Sequence, residues 1–211
     1  MSVKLAGNTT ATDVEVDTTA KAMRVTLYNS AGTETSIGSR KTFSASSTFT
    51  PVATPTDLVI IEGSATKTIR VLSMSISTTN TAAGSQQFFL VKRSAADTTG
   101  TFVAATAIPW DSADTATANR VGHFTANPGV LGATVGTINT KRVASPVAIP
   151  ATFAGVSVDT SVETIPALFL PAAINTPVML RGVAQCLAIN FNGAALVAGQ
   201  THAYTVVWTE E

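Results

Sequence analysis

Charge is scarce in this chain. Asp, Glu, Lys and Arg together make up 12% of its 211 residues, against about 25% in an ordinary soluble domain. Acids and bases balance at 13 each and are scattered singly, Lys92-Arg93 and Lys141-Arg142 being the notable basic pairs. No basic stripe suited to a phosphate backbone results, which argues against nucleic acid as a partner. Cysteine occurs once, at Cys186, so an intrachain disulfide is excluded. Its apolar surroundings and the lack of an adjacent cation read as a small buried hydrophobe, with a reactive thiol as the competing reading. Histidine occurs only at His123 and His202, with no His-x-x-x-His spacing, so each reads as a sheet-face or interface imidazole rather than a metal ligand or triad member. No glycine-rich loop precedes a helix, which leaves phosphate cradling unsupported. No stretch approaches the roughly 20 apolar residues that span a bilayer, and the opening Met1 to Thr10 lacks the apolar centre of a signal peptide. The expectation is a soluble chain made in a cytoplasm, with no cofactor, no metal, no membrane partner and no enzymatic activity.

What the chain does contain is 45% hydrophobic residues, arranged with Ser, Thr, Ala and Gly in a rhythm of two. Arg70-Val71-Leu72-Ser73-Met74-Ser75-Ile76-Ser77 alternates so that Leu72, Met74 and Ile76 are expected inward and the serines outward. Leu58 to Ile61 is a short continuous apolar run, and further strand patterns fall at 86–93, 101–107, 120–125, 134–143, 167–170, 177–183, 185–191 and 202–209. Turn residues such as Asn127-Pro128-Gly129 and Asn192-Gly193 separate them. Short strands at this spacing, without a 3.6-residue apolar period, predict an all-β antiparallel sandwich, jelly-roll-like, over residues 57–211.

Ahead of it, Val14 to Asp17 and Ala22 to Tyr28 form two strand patterns, the second with Met23, Val25 and Leu27 on one face. Two strands are marginal alone, so this N-terminal extended arm must join the main sheet or dock on a partner. Asn29 to Thr56 is rich in Ser, Thr, Ala and Gly and ends on Pro51 and Pro55, the composition of an irregular connector. It reads as a flexible linker or as an arm whose Phe43 and Phe49 seat in a neighbour. Residues 1–56 are thus expected to be arm and linker.

Between Arg142 and Arg181 there is no Lys or Arg, only Asp159 and Glu163 carry charge, and Pro146, Pro150, Pro166, Pro171 and Pro177 interrupt the run. Prolines exclude central strands here. Two readings stand: a cover over an open end of the sandwich, or part of a subunit interface, since interface cores are depleted of charge.

Candidate chemistry is sparse. Trp110-Asp111-Ser112-Ala113-Asp114 places two carboxylates three apart, either an Asx-type turn or part of a Ca²⁺ site. Asp97, Asp111, Asp159 and Glu163 are the acids a glycosidase-like pair would draw on, and Trp110, Trp208, Phe88, Phe89 and Tyr204 those of a sugar-stacking face, though Tyr204, Val206 and Trp208 share the face expected for core.

The stretches Ile69 to Ser77, Phe89 to Asp97, Phe124 to Gly132, Leu180 to Gly193 and Trp208 to Glu211 resemble small virion structural proteins of tailed bacteriophages, and Val14 to Leu27 resembles the short leader of head-fibre and tail-associated proteins. The resemblance implies a non-enzymatic β-sandwich of the head decoration, cement or head-fibre type. It is carried on a virion assembled in the host bacterial cytoplasm, binds the major capsid protein or other virion proteins, and self-associates as a homotrimer. Under that reading Met23, Val25 and Leu27 anchor the chain to the shell, and Val147, Ile149, Phe153, Leu168, Phe169 and Leu170 make subunit contacts. The competing expectation is a tail or baseplate receptor-binding module that recognises host glycans.

Overall fold

Residues alternating between small polar and apolar can satisfy water on one side and a core on the other only as sheet. The computed structural model describes residues 3–5, 12–17, 22–24, 40–79, 84–145 and 177–211, and contains no helix among them. Two compact units divide at Arg40 and Lys41. The first holds three antiparallel strands in sequential order: β1 (Val3–Leu5), β2 (Thr12–Asp17) and β3 (Ala22–Arg24). The strand expected at Val14 to Asp17 lies whole within β2, and the one expected from Ala22 to Tyr28 is present in part; Met23 lies on β3, while Val25 and Leu27 lie outside the described residues.

The second unit is a sandwich of two antiparallel sheets. Its strands are β4 (Lys41–Phe49), β5 (Asp57–Glu62), β6 (Thr68–Thr79), β7 (Gly84–Arg93), β8 (Thr101–Ala104), β9 (Ile108–Pro109), β10 (Val121–Ala126), β11 (Thr134–Ser145), β12 (Val178–Arg181), β13 (Cys186–Asn190) and β14 (Thr201–Glu210). One sheet runs β12-β6-β14-β4-β9 and the other β11-β7-β13-β5-β10-β8. Without β8 to β10, the orders become β4-β14-β6-β12 and β5-β13-β7-β11, successive strands alternating between sheets except where the insertion intervenes. That is jelly-roll topology. The strands β8 to β10 are an insertion between β7 and β11 that widens both sheets beyond β4 and β5. Trp208, Phe43, Met74, Ile76, Phe88, Leu90, Ile61 and Leu187 fill the space between the layers.

Three expectations are corrected. The Ser/Thr-rich connector is strand where it runs through β4, paired with β14 from Phe49↔His202 to Lys41↔Glu210. Composition concealed it because its inward face has only Phe43, Ala45 and Phe49 as apolar residues, with Ser47 between them, while its other hydroxyls lie on the opposite face. The sandwich therefore begins at Lys41 and not at residue 57. The strand expected over 101–107 stops at Ala104, where the chain crosses between sheets to form β9. Finally, Leu72 is 37% exposed, not inward. Its partner strand pairs Val207 with Ser73 and Trp208 with Val71, so Leu72 is the extra residue of a β-bulge, and the inward set is Ile69 and Val71 before it, Met74 and Ile76 after. The strand expected at 167–170 and the proposed subunit contacts Val147, Ile149, Phe153, Leu168, Phe169 and Leu170 lie outside the described residues.

The phase change at Leu72 has a measurable consequence in urea unfolding. Met74→Ala should lose about 2–5 kcal/mol through the cavity it opens, while Leu72→Ser should stay within about 0.5 kcal/mol of the parent; equal losses would mean that the alternation runs unbroken.

Candidate functional site

The exposed apolar residues, not a cleft, single out one region. Of the nine large hydrophobics exposed among the described residues, four fall between Val130 and Ile138: Val130 (62%), Leu131, Val135 (62%) and Ile138. Local pairing explains two of them. Strand β11 is the edge of its sheet, and its register against β7 skips one residue between Thr134 and Gly136 and another between Thr137 and Asn139. Val135 and Ile138 are those bulged residues, pushed out of the ladder and into solvent. Bulges of this kind also spoil an edge for strand addition, so this surface is suited to side-chain contacts more than to sheet extension.

Val130 and Leu131 are held by a turn that rests on a buried ionic cluster. The Arg93 guanidinium, 4% exposed, donates to both oxygens of Asp57, Nε to Oδ2 at 2.5 Å and Nη2 to Oδ1 at 2.8 Å. Its Nη1 donates to the carbonyl of Gly132 and to Thr134 Oγ1, each at 2.8 Å. Asn190 Nδ2 donates to Asp57 Oδ1. Asp97, one helical-turn spacing after Arg93 in sequence but in the β7–β8 connection, accepts the Gly132 amide at 2.7 Å. Its Oδ1 stands 3.6 Å from Arg93 Nε. Burial, with the Asp57 charge beside it, pushes the Asp97 carboxyl up to about 7. Around this cluster the outer face of the six-stranded sheet is apolar, with Ile60, Phe124, Cys186 and Ala188 packed together. Cys186 is the buried small hydrophobe expected, its thiol pushed well up by burial and by the neighbouring carboxylates.

The insertion is fastened separately. Glu210 accepts the amides of Thr117 (2.9 Å) and Ala118 (3.2 Å), the Thr117 hydroxyl (2.7 Å) and Trp208 Nε1 (3.0 Å). Glu62 takes Arg120 and Asn119. These contacts hold the loop before β10, where Trp110 is 68% exposed beside Ile108.

The remaining candidates do not converge on chemistry. Asp111 Oδ1 accepts the Ala113 amide at 3.0 Å, the Asx-type turn, while Asp114 pairs with Lys41 at 2.7 Å; no cluster of three or more potential metal ligands occurs among the described residues. Asp97 lies in the ionic cluster away from that turn, and Asp159 and Glu163 lie outside the described residues. Of the aromatic set, Trp208, Phe88 and Tyr204 are core, Trp110 is exposed and Phe89, on the other sheet, is half-buried. His202 is fully buried, with Nδ1 2.8 Å from Thr78 Oγ1, and burial pushes its pKa down to about 4. His123 is stacked on Phe49 at 4.2 Å and is lowered by burial too. Both imidazoles serve the core. An open groove on the outer face of the five-stranded sheet is lined by Ser46, Thr48, Ser75, Ser77 and Thr205, with no charged or imidazole side chain.

None of Val130, Leu131, Val135 and Ile138 was singled out by sequence patterning; adjacent apolar residues after the Asn127-Pro128-Gly129 turn were the available signal. No protein-family model, no curated protein and no solved structure matches the chain.

The buried acid and the buried imidazoles act in opposite directions on stability. Asp97 has a raised folded pKa, so the folded state binds the extra proton and stability is lost as pH rises through about 7. The histidines have lowered folded values, so stability is lost as pH falls from about 6.5 toward 4. Wild-type protein should gain about 1 kcal/mol or less in all on going from pH 8.5 to 6.5, with the slope appearing only as pH drops to about 7, because above that value both states are ionised. Asp97→Asn should be flat there and decline only below. Urea titrations at each pH check this; the same alkaline slope in both proteins would refute the assignment.

Proposed function

We propose that this chain is a non-enzymatic virion structural protein of the capsid decoration or head-fibre type, whose jelly-roll domain self-associates while its N-terminal segment grips the shell. The observation that carries the reading is the apolar surface from Val130 to Ile138, followed after Arg142 by a segment with no positive charge before Arg181. Exposed apolar residues flanked by charge-poor sequence are what an interface core needs. The jelly roll occurs in viral capsid and lectin domains alike, so fold alone favours neither shell nor glycan binding. Surface chemistry favours the first: the aromatic rings that a stacking platform needs are mostly in the core, whereas the aliphatic Val130, Leu131, Val135 and Ile138 are exposed. A homotrimer follows if the Val130–Ile138 surface meets a different face of the next copy and the rotation closes. Met23, Val25 and Leu27 remain the proposed anchor, with multivalent display making a modest contact per arm sufficient.

Sedimentation velocity of the purified chain tests self-association: a concentration-dependent trimer is expected, and Val135→Asp combined with Ile138→Asp should weaken it at least about tenfold, or about 1.4 kcal/mol. A chain that stays monomeric at all accessible concentrations refutes the reading. Leu27→Asp should leave the trimer intact yet fail to co-sediment with shells that retain the parent chain.

A further inference from the structure

In the turn that presents Val130 and Leu131, Gly132 is the residue bonded directly to the buried ionic cluster. Its amide donates to Asp97 Oδ1 at 2.7 Å, and its carbonyl accepts Arg93 Nη1 at 2.8 Å. A Cβ at this position would fall 1.8 Å from the Ala95 carbonyl oxygen, so a larger residue would force the two segments apart. Just upstream, Thr98 and Val130 exchange backbone hydrogen bonds at 3.0 and 3.3 Å. The connection 94–100 and the turn 127–133 therefore form one layer on the outer face of the sheet, with the Asp97 carboxyl buried on its underside.

Charge around Asp97 does not balance. The groups that face it are Asp57 from β5, Arg93 from β7, Cys186 from β13 and Arg120 from the approach to β10, with Glu62 of β5 beyond, paired to Arg120. Arg93 is committed to Asp57 through two hydrogen bonds. Arg120 is committed to Glu62 and meets Asp97 only at its backbone carbonyl, at 2.8 Å. Asp97 Oδ2 is buried with no hydrogen-bond partner. An ionised Asp97 is thus a surplus buried negative charge, and the route by which it regains water is the lifting of the layer above it.

We propose that Asp97 is a proton-operated latch on this layer: as the neutral acid it keeps the turn seated on β7, and when it loses its proton the turn loosens, so that Val130 and Leu131 are presented in a pH-dependent way. The raised pKa of the carboxyl, about 7, places the change in the neutral range. Only the consequence for assembly rests on the function proposed above; the latch itself stands on the cluster geometry.

Amide hydrogen exchange on the full chain at pH 6 and pH 8.5, corrected for intrinsic rates, tests it. Protection of the Gly132, Thr98 and Val130 amides should fall by about tenfold in all between pH 6 and pH 8.5, levelling off above about 7 where the seated carboxyl is itself ionised, while amides of the β6–β14 ladder should not follow. Asp97→Asn keeps an acceptor for Gly132 without a charge and should hold protection constant with pH; Asp97→Ala should lose it at both. Protection that does not change with pH in the wild type, or an Asp97→Asn variant that follows it, overturns the latch. Sedimentation at the same two pH values separates the readings: a chain monomeric at both, with the exchange pattern as expected, sinks the assembly function and leaves the latch standing.

Discussion

A guanidinium placed between two carboxylates on the outer face of the six-stranded sheet organises this molecule's surface. Arg93 ends β7 opposite Cys186 at the start of β13, while Asp57 begins β5 opposite Asn190 at the far end of β13, so the bidentate pair reaches diagonally across β13 and ties three neighbouring strands together. Water is excluded from both partners. Losing either would leave an uncompensated buried charge, a change that typically costs about 3–5 kcal/mol. The same guanidinium reaches the Gly132 carbonyl and Thr134, so the position of the turn ahead of β11, and with it the apolar surface, depends on a contact made below the sheet surface.

The insertion β8 to β10 follows the same logic at another place. Its connecting loop is irregular, and irregular backbone needs partners for its amides. Glu210, at the end of the last strand, supplies them for Thr117 and Ala118, and Glu62 takes the side chains that follow. Several of the chain's few charges are thus used inside, on loop attachment.

Much of the sandwich was legible because β5, β6, β13 and β14 carry strong period-two or continuous apolar patterns, and the inward residues Met74, Ile76, Val206 and Trp208 stand where alternation puts them. β4 was hidden because Ser and Thr on its outer face outweigh the three residues that make it a core strand. Leu72, Val135 and Ile138 illustrate a second limit. A bulge is a property of two strands in register, and one strand's sequence does not say which residue its partner will skip. The candidate surface was illegible for that reason: Val135 and Ile138 look inward or outward depending on pairing with β7.

By itself, then, the sequence determined the fold class, the scarcity of reactive groups and the turn-bounded strand spacing, since these follow from local alternation and composition. Only the tertiary structure decided which apolar residues face solvent, and it brought Asp57, Arg93, Asp97 and Gly132 together from three separate segments. The physical reason is that exposure is set by strand register and a buried charge by its partners, and both are long-range quantities that no window of neighbouring residues contains.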